Sequence, residues 1–193
     1  EKPNKTLGVS YRSGKRIINN KTAVIIDDLD SLPFPARDLD PEKNYINPKL
    51  SLKKFTNVLA SRGCANQCYF CVPNSISWSR ELEWKKYNKG KPPVKTRSAK
   101  NVIEELKYLK KEGYKEISFI DDQFVVGKKR TIEILKAIEK IKFDFGILAR
   151  ADKLNDEEVV ENLACAKCKY VDIGAESFDQ TVLDDINKGI KVE

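Results

Sequence analysis

Apolar residues follow two alternating rhythms from about residue 52 onward. Short runs read as strands: Thr56–Ser61, Glu116–Ile120, Phe145–Ala149 and Tyr170–Gly174. Between them, apolar positions recur every three or four residues. Val102, Ile103, Leu106 and Leu109 predict one helix, with Ser98 as its cap and Gly113 at its close. Ile132, Leu135, Ile138 and Ile141 predict a second. A third carries Val159, Val160 and Leu163 behind the capping box Asn155/Glu158, and a fourth carries Val182, Leu183 and Ile186 behind Asp179.

Strands that alternate with helices require a parallel sheet with crossover connections, so the fold class is α/β. In each unit a polar residue follows the strand's carboxyl end: Cys64, Asp121, Arg150 and Glu176. Ligands bind at that edge in barrels and open α/β sheets. Four such strands cannot close a barrel and would leave an apolar edge, so the core, 51–193, reads as truncated. Residues 1–50 read as an extended arm following a missing upstream domain. Short strands are expected at Leu7–Tyr11 and Thr22–Ile26 around the turn Ser13-Gly14-Lys15. Pro33 and Pro35 hold Phe34 extended, and Leu32 and Phe34 are expected to pin this linker to a neighbouring domain.

Composition narrows the chemistry. The chain opens on Glu1, lacks Met and has no secretory signal, which reads as a piece of a longer cytoplasmic protein. No run approaches the roughly 20 apolar residues of a membrane span. Thirty-six basic residues against 29 acidic give +7, spread over helix faces and loops, as solvated surfaces would have it. Nucleic acid is the alternative partner, and composition alone does not select it. Without histidine, a metal site must use thiolate or carboxylate, and an odd five cysteines argue against a disulfide framework.

Three of those cysteines, Cys64, Cys68 and Cys71, form C-x3-C-x2-C on the loop after the first core strand. Ferredoxin-type clusters take four thiolates. Three thiolates on a 4Fe–4S cube leave one iron open, as a catalytic zinc keeps one position open. This spacing, with an aromatic before the last cysteine, resembles the signature of the radical SAM superfamily. Leu29–Pro35, Ser61–Cys64, Phe119–Asp122 and Ile173–Ser177 are similar to the branch in which a cobalamin-binding domain precedes the barrel.

The resemblance implies a partial (β/α)6 TIM-like barrel. It also implies a cluster on Cys64, Cys68 and Cys71 whose open iron chelates S-adenosylmethionine, so that one electron breaks the sulfonium bond and yields a 5′-deoxyadenosyl radical. The electron donor would be of flavodoxin or ferredoxin type, cobalamin would lie on an upstream domain, and the substrate is not specified. Phe70 would lie against adenine. Asp121 or Asp122 would accept from the methionine ammonium, with a solvated turn as the alternative. Arg150 would pair with the methionine carboxylate or form a surface salt bridge. Glu176 and Ser177 would hold the ribose, unless Ser177 only starts a helix.

The function so implied is that of a radical SAM methyltransferase or a related enzyme. Two competitors stand beside it. One is a methylthiotransferase acting on tRNA or a ribosomal protein. The other is a zinc-stabilised RNA-binding module that would borrow Cys165 or Cys168, although those two fall at the sheet's opposite edge. Buried, inert thiols are the simpler reading of that pair.

Overall fold

The computed structural model describes residues 2–21, 26–39, 45–51, 53–71 and 94–192. The strand expected at Thr22–Ile26 and the proline-containing stretch before Lys95 fall mostly outside the described residues. An antiparallel hairpin comes first, β1 (Ser10–Ser13) and β2 (Arg16–Asn19). It turns where the sequence places the turn, with Gly14 at φ +59° in the position that a two-residue type II′ turn reserves for glycine. So tight a turn pairs Ser13 with Arg16 at once, and the second strand follows the turn directly.

The core begins with β3 (Phe55–Val58). The expected strand divides here, because at Ser61 the chain leaves the sheet to form a small antiparallel pair, β4 (Ser61–Arg62) with β5 (Lys95–Thr96). Then follow α1 (Ala99–Lys111), β6 (Glu116–Phe119), α2 (Lys128–Ile141), β7 (Asp144–Arg150), α3 (Glu157–Cys165), β8 (Tyr170–Gly174) and α4 (Gln180–Asp185). Strands β3, β6, β7 and β8 make one parallel sheet in that order. Each strand lies beside its predecessor. A doubly wound sheet would reverse direction at a switch point, so this winding is that of a barrel.

The helices share one core with one face of the sheet. Val102, Leu106 and Leu109 of α1, Ile134, Leu135 and Ile138 of α2, and Val159 and Leu163 of α3 pack with Ile117, Phe119, Phe145 and Ile147. Helix ends follow local chemistry. Ser98 and Asp179 cap α1 and α4 as expected, through bonds from the backbone N–H groups of Asn101 and of Thr181 and Val182. The cap of α3 is Asp156, which accepts from Val159 N, and not Asn155. Glu158 pairs with Lys128 at 2.9 Å in place of closing a capping box. A carboxylate at the cap interacts better with the positive end of the helix than a neutral amide does. Among the described residues no helix is long and apolar enough to cross a membrane.

The sheet face turned away from the helices is polar near its amino end. Asn47 Nδ2 donates to Ser118 Oγ and Tyr170 Oη, both at 2.9 Å. Lys49 pairs with Asp172, and Ser51 N donates to Glu116 Oε1 at 2.8 Å. The Tyr170 ring covers Gly146, where an added Cβ would collide with the ring carbons. Gly146→Ala is therefore expected to push the ring off its bonds and destabilise the fold by about 1–3 kcal/mol, read as a lower denaturation midpoint.

The arm runs along α1 of this same chain. Leu29 is buried, whereas Leu32, expected to anchor, is exposed. Phe34 meets α1 of its own chain, 6.5 Å from the Tyr108 ring and 5.5 Å from the Arg97 guanidinium. Asp27 pairs with Lys95 at 2.6 Å, and Asp30 Oδ1 accepts from Ser98 N at 2.8 Å. Arg37 reaches Oε1 of the buried Glu105 at 2.7 Å, and Arg97 pairs with its Oε2.

Candidate metal and cofactor site

The cysteine loop lies across the carboxyl edge of β7 and β8. Two bonds dock it there: Tyr69 N donates to Ile186 O at 3.0 Å, and Asn187 Nδ2 donates to Gln67 O at 2.8 Å. Their partners follow α4, where Asn187 and Gly189 take left-handed backbone angles of +52° and +66° and turn the chain back over the sheet. Cys68 is buried, and Cys64 and Cys71 are half-buried; among the described residues none of the three is in a disulfide.

Two of the sulfurs have donors beside them. Asn66 Nδ2 is 3.3 Å from Cys64 Sγ, and Arg150 Nη1 is 3.9 Å from Cys68 Sγ. Arg150 is buried, and its other nitrogens are also bound, Nε to Asp152 Oδ1 and Nη2 to Lys188 O, both at 2.8 Å. Gln123 Oε1 accepts from Arg150 N at 2.9 Å and fixes the strand end from which the guanidinium projects. Arg62, two residues before Cys64, is exposed on β4 and not beside the sulfurs.

The two aspartates after β6 have separate tasks. Asp121 is buried and faces Ala60 N and Ser61 Oγ, so it braces the point where the chain leaves the sheet for the cysteine loop. Burial pushes its carboxyl up, against the pull of Ser61, Ala60 and Arg130. Asp122 is exposed on the rim, and its Oδ2 accepts from Gly63 N at 3.0 Å, one residue before Cys64.

After β8, Glu176 takes a left-handed backbone angle of +68°, which is costly for a side chain with a Cβ. Its Oε1 pairs with Lys188 Nζ at 2.8 Å. That ammonium is buried and lies 5.8 Å over the Phe70 ring. Ser177 Oγ accepts from Asp179 N at 3.0 Å, which leaves its own O–H free to donate outward. The structure thus gathers Cys64, Cys68, Cys71, Phe70, Asp122, Arg150, Glu176 and Ser177 at one edge and adds Asn66 and Lys188. The sequence reading missed Lys188, since one lysine among many says little. Asn187-Lys188-Gly189 at a helix end was the available signal, because Asn and Gly both suit left-handed turns.

Soft thiol donors with a guanidinium and a carboxamide beside two of them suit an iron–sulfur group, whose sulfurs are commonly hydrogen-bonded. Among the described residues no three cysteine or acidic side chains converge on one point, as a single ion requires. A cube binds each thiolate on a different iron, so its ligands surround a body and not a point.

Cys168 lies far from this edge, with its Sγ near Phe145 O and Tyr170 O at the amino ends of β7 and β8. A metal shared with Cys64 would have to span the sheet. Burial pushes the Cys168 thiol up to about 11, so at pH 8 only about one molecule in a thousand carries a thiolate there. Cys165 is exposed. In the native chain iodoacetamide is expected to label Cys165 well before Cys168, a difference that urea abolishes and peptide mass mapping reads.

Comparison with known proteins agrees with this geometry. The family model described as the radical SAM superfamily matches residues 58–193. An uncharacterized methyltransferase, PH0819 of Pyrococcus horikoshii, is 35% identical over 187 residues, covering 95% of this chain and 37% of that protein. The ribosomal protein uS12 methylthiotransferase RimO of Elusimicrobium minutum is 24% identical over 203 residues, or 97% of this chain and 44% of that protein. The chain therefore spans less than half the length of these curated relatives. Among solved structures, the radical S-adenosylmethionine methyltransferase TsrM of Kitasatospora setae, with cobalamin and a [4Fe-4S] cluster bound, superposes with a TM-score of 0.54 at 18% identity. The superposition covers 68% of this chain and 24% of TsrM. At that identity the likeness is one of fold, that of the TIM-like barrel enzymes. The matched region holds the cysteine loop and the ends of β6, β7 and β8, and the chain belongs to the radical SAM superfamily.

Proposed function

We propose that this chain is the cofactor-binding part of a radical SAM methyltransferase, with a 4Fe–4S cluster on Cys64, Cys68 and Cys71. The observation that carries the reading is the placement of three cysteine side chains on one loop over the sheet's carboxyl edge, with the Arg150 guanidinium against Cys68. When bound, such a cluster supplies one electron to the sulfonium of S-adenosylmethionine, whose cleavage gives a 5′-deoxyadenosyl radical.

The chain's own residues hold the rest of the cofactor. Asp122 is rim-exposed and accepts from the methionine ammonium, while Asp121 is committed to Ala60 and Ser61. Glu176 and Ser177 face the ribose hydroxyls: Lys188 orients the carboxylate and the serine hydroxyl donates. Phe70 is half exposed beside Lys188 and offers its ring to the adenine. A flavodoxin- or ferredoxin-type protein delivers the electron, and in the whole protein a cobalamin domain carries the methyl group. The likeness to PH0819 favours methyl transfer. A second reading, methylthio transfer to a ribosomal protein or tRNA, draws on the likeness to RimO along nearly the whole chain.

Anaerobic reconstitution with iron and sulfide tests the proposal. The expected result is about four irons per chain, broad visible absorption and, after reduction with S-adenosylmethionine, 5′-deoxyadenosine. A folded chain that takes up zinc but no iron overturns it. In the whole protein, bound cobalamin selects methyl transfer, and a second cluster selects methylthio transfer.

A further inference from the structure

We infer that Arg150 is a positioning residue that keys the cysteine loop onto the end of β7 and sets the electronic environment of Cys68, and is not a ligand of the methionine carboxylate. The inference rests on the proposed cluster site. A carboxylate-binding arginine presents its planar fork to the ligand with two nitrogens unengaged. Here no nitrogen is unengaged: Nε is on Asp152, Nη1 on Cys68 Sγ and Nη2 on Lys188 O. The side chain is buried, and Gln123 holds its backbone N–H. The guanidinium thus joins the end of β7, the middle cysteine and the turn after α4, the same turn that binds the cysteine loop through Ile186 O and Asn187.

Two consequences follow from the charge and the contact. A fixed cation with an N–H on a ligand sulfur stabilises the more negative, reduced cluster and so raises its midpoint potential. The same contact fastens Cys68 in a buried position, so that its thiol in the iron-free chain is shielded from reagents.

Arg150→Gln and Arg150→Lys in the full chain separate this role from carboxylate binding. In the iron-free chain, iodoacetamide is expected to alkylate Cys68 about tenfold faster or more in both variants, the loss of one charge-assisted bond. In the reconstituted chain, potentiometry followed by electron paramagnetic resonance is expected to give a more negative midpoint for Arg150→Gln. Arg150→Lys, which keeps the charge, falls between that variant and the parent. The dissociation constant of S-adenosylmethionine is expected to stay near the parent value. The opposite result, an unchanged potential and unchanged Cys68 alkylation with S-adenosylmethionine binding weakened tenfold or more, overturns the inference. If the parent chain takes up no iron, the proposed function fails, and the alkylation rates still decide whether Arg150 keys the loop. If Arg150→Gln does not fold, Arg150→Lys carries both measurements, because a lysine cannot reach three partners in a plane.

Discussion

Replacing Cys68 by serine is expected to abolish cluster retention and S-adenosylmethionine cleavage while leaving the fold in place. Serine matches the cysteine in size, so the buried site at the sheet edge keeps its packing. Its alcohol, however, is a poor iron ligand, because the thiolate is the soft donor that iron–sulfur clusters take. With two thiolates left, the cube has neither its ligand count nor its anchor beside Arg150. Iron per chain after desalting is expected to fall to background, and 5′-deoxyadenosine below detection, with an unchanged far-ultraviolet dichroism spectrum. Full iron retention by the serine variant would remove Cys68 from the ligand set. Among the three cysteines this one discriminates best, since Cys64 and Cys71 are half-buried and more open to substitution by solvent ligands.

The largest expected effect on stability lies elsewhere, at Glu105. This carboxylate is buried on α1 and pairs with Arg37 of the arm and Arg97 ahead of the helix, whose side chains are each only about a tenth exposed (11% and 12%). Removing one member of a buried ionic group leaves the others charged and unpaired, which costs about 3–5 kcal/mol. Glu105→Ala would strand two guanidinium groups at once. The expected result is a melting temperature lower by roughly 10 °C, with the arm released from α1 and newly open to protease at 26–39. Glu105→Gln keeps the shape without the charge and should lose nearly as much. If both variants melt with the parent, the arm is held by its other contacts, Leu29, Phe34 and the bonds of Asp27 to Lys95 and Asp30 to Ser98.

Several parts of this architecture could be read from sequence because they depend on local patterning. The strand Tyr170–Gly174 has the extent expected of it, and α1 begins at Ser98, since a short apolar run and a serine cap are decided within a few residues. The cysteine loop was legible for another reason: thiols at C-x3-C-x2-C have few uses. Long-range contacts were not legible. Nothing near Asp121 in sequence announces that its partners are Ala60 and Ser61, some sixty positions earlier. From the sequence, Asp121 and Asp122 look interchangeable on the rim, and burial separates them. The same applies to Arg150, whose three partners come from three segments, and to Lys188, which a turn of two left-handed residues brings back over the sheet. Residues 1–50 read as a linker because their prolines and charges carry no periodicity. Their ion pairs with α1 depend on a surface that forms only after the barrel winds.

That fastening has a mechanical consequence. A flexible tether lets what it joins wander through a volume, and its effect is described by an effective concentration. Residues 27–37 are instead bolted along α1 at Lys95, Ser98 and Glu105, the first of these on the short strand that borders the cysteine loop. Residues 27–37 are therefore held at a fixed bearing to the rim, and a load applied at residue 27 is felt at the edge of that loop.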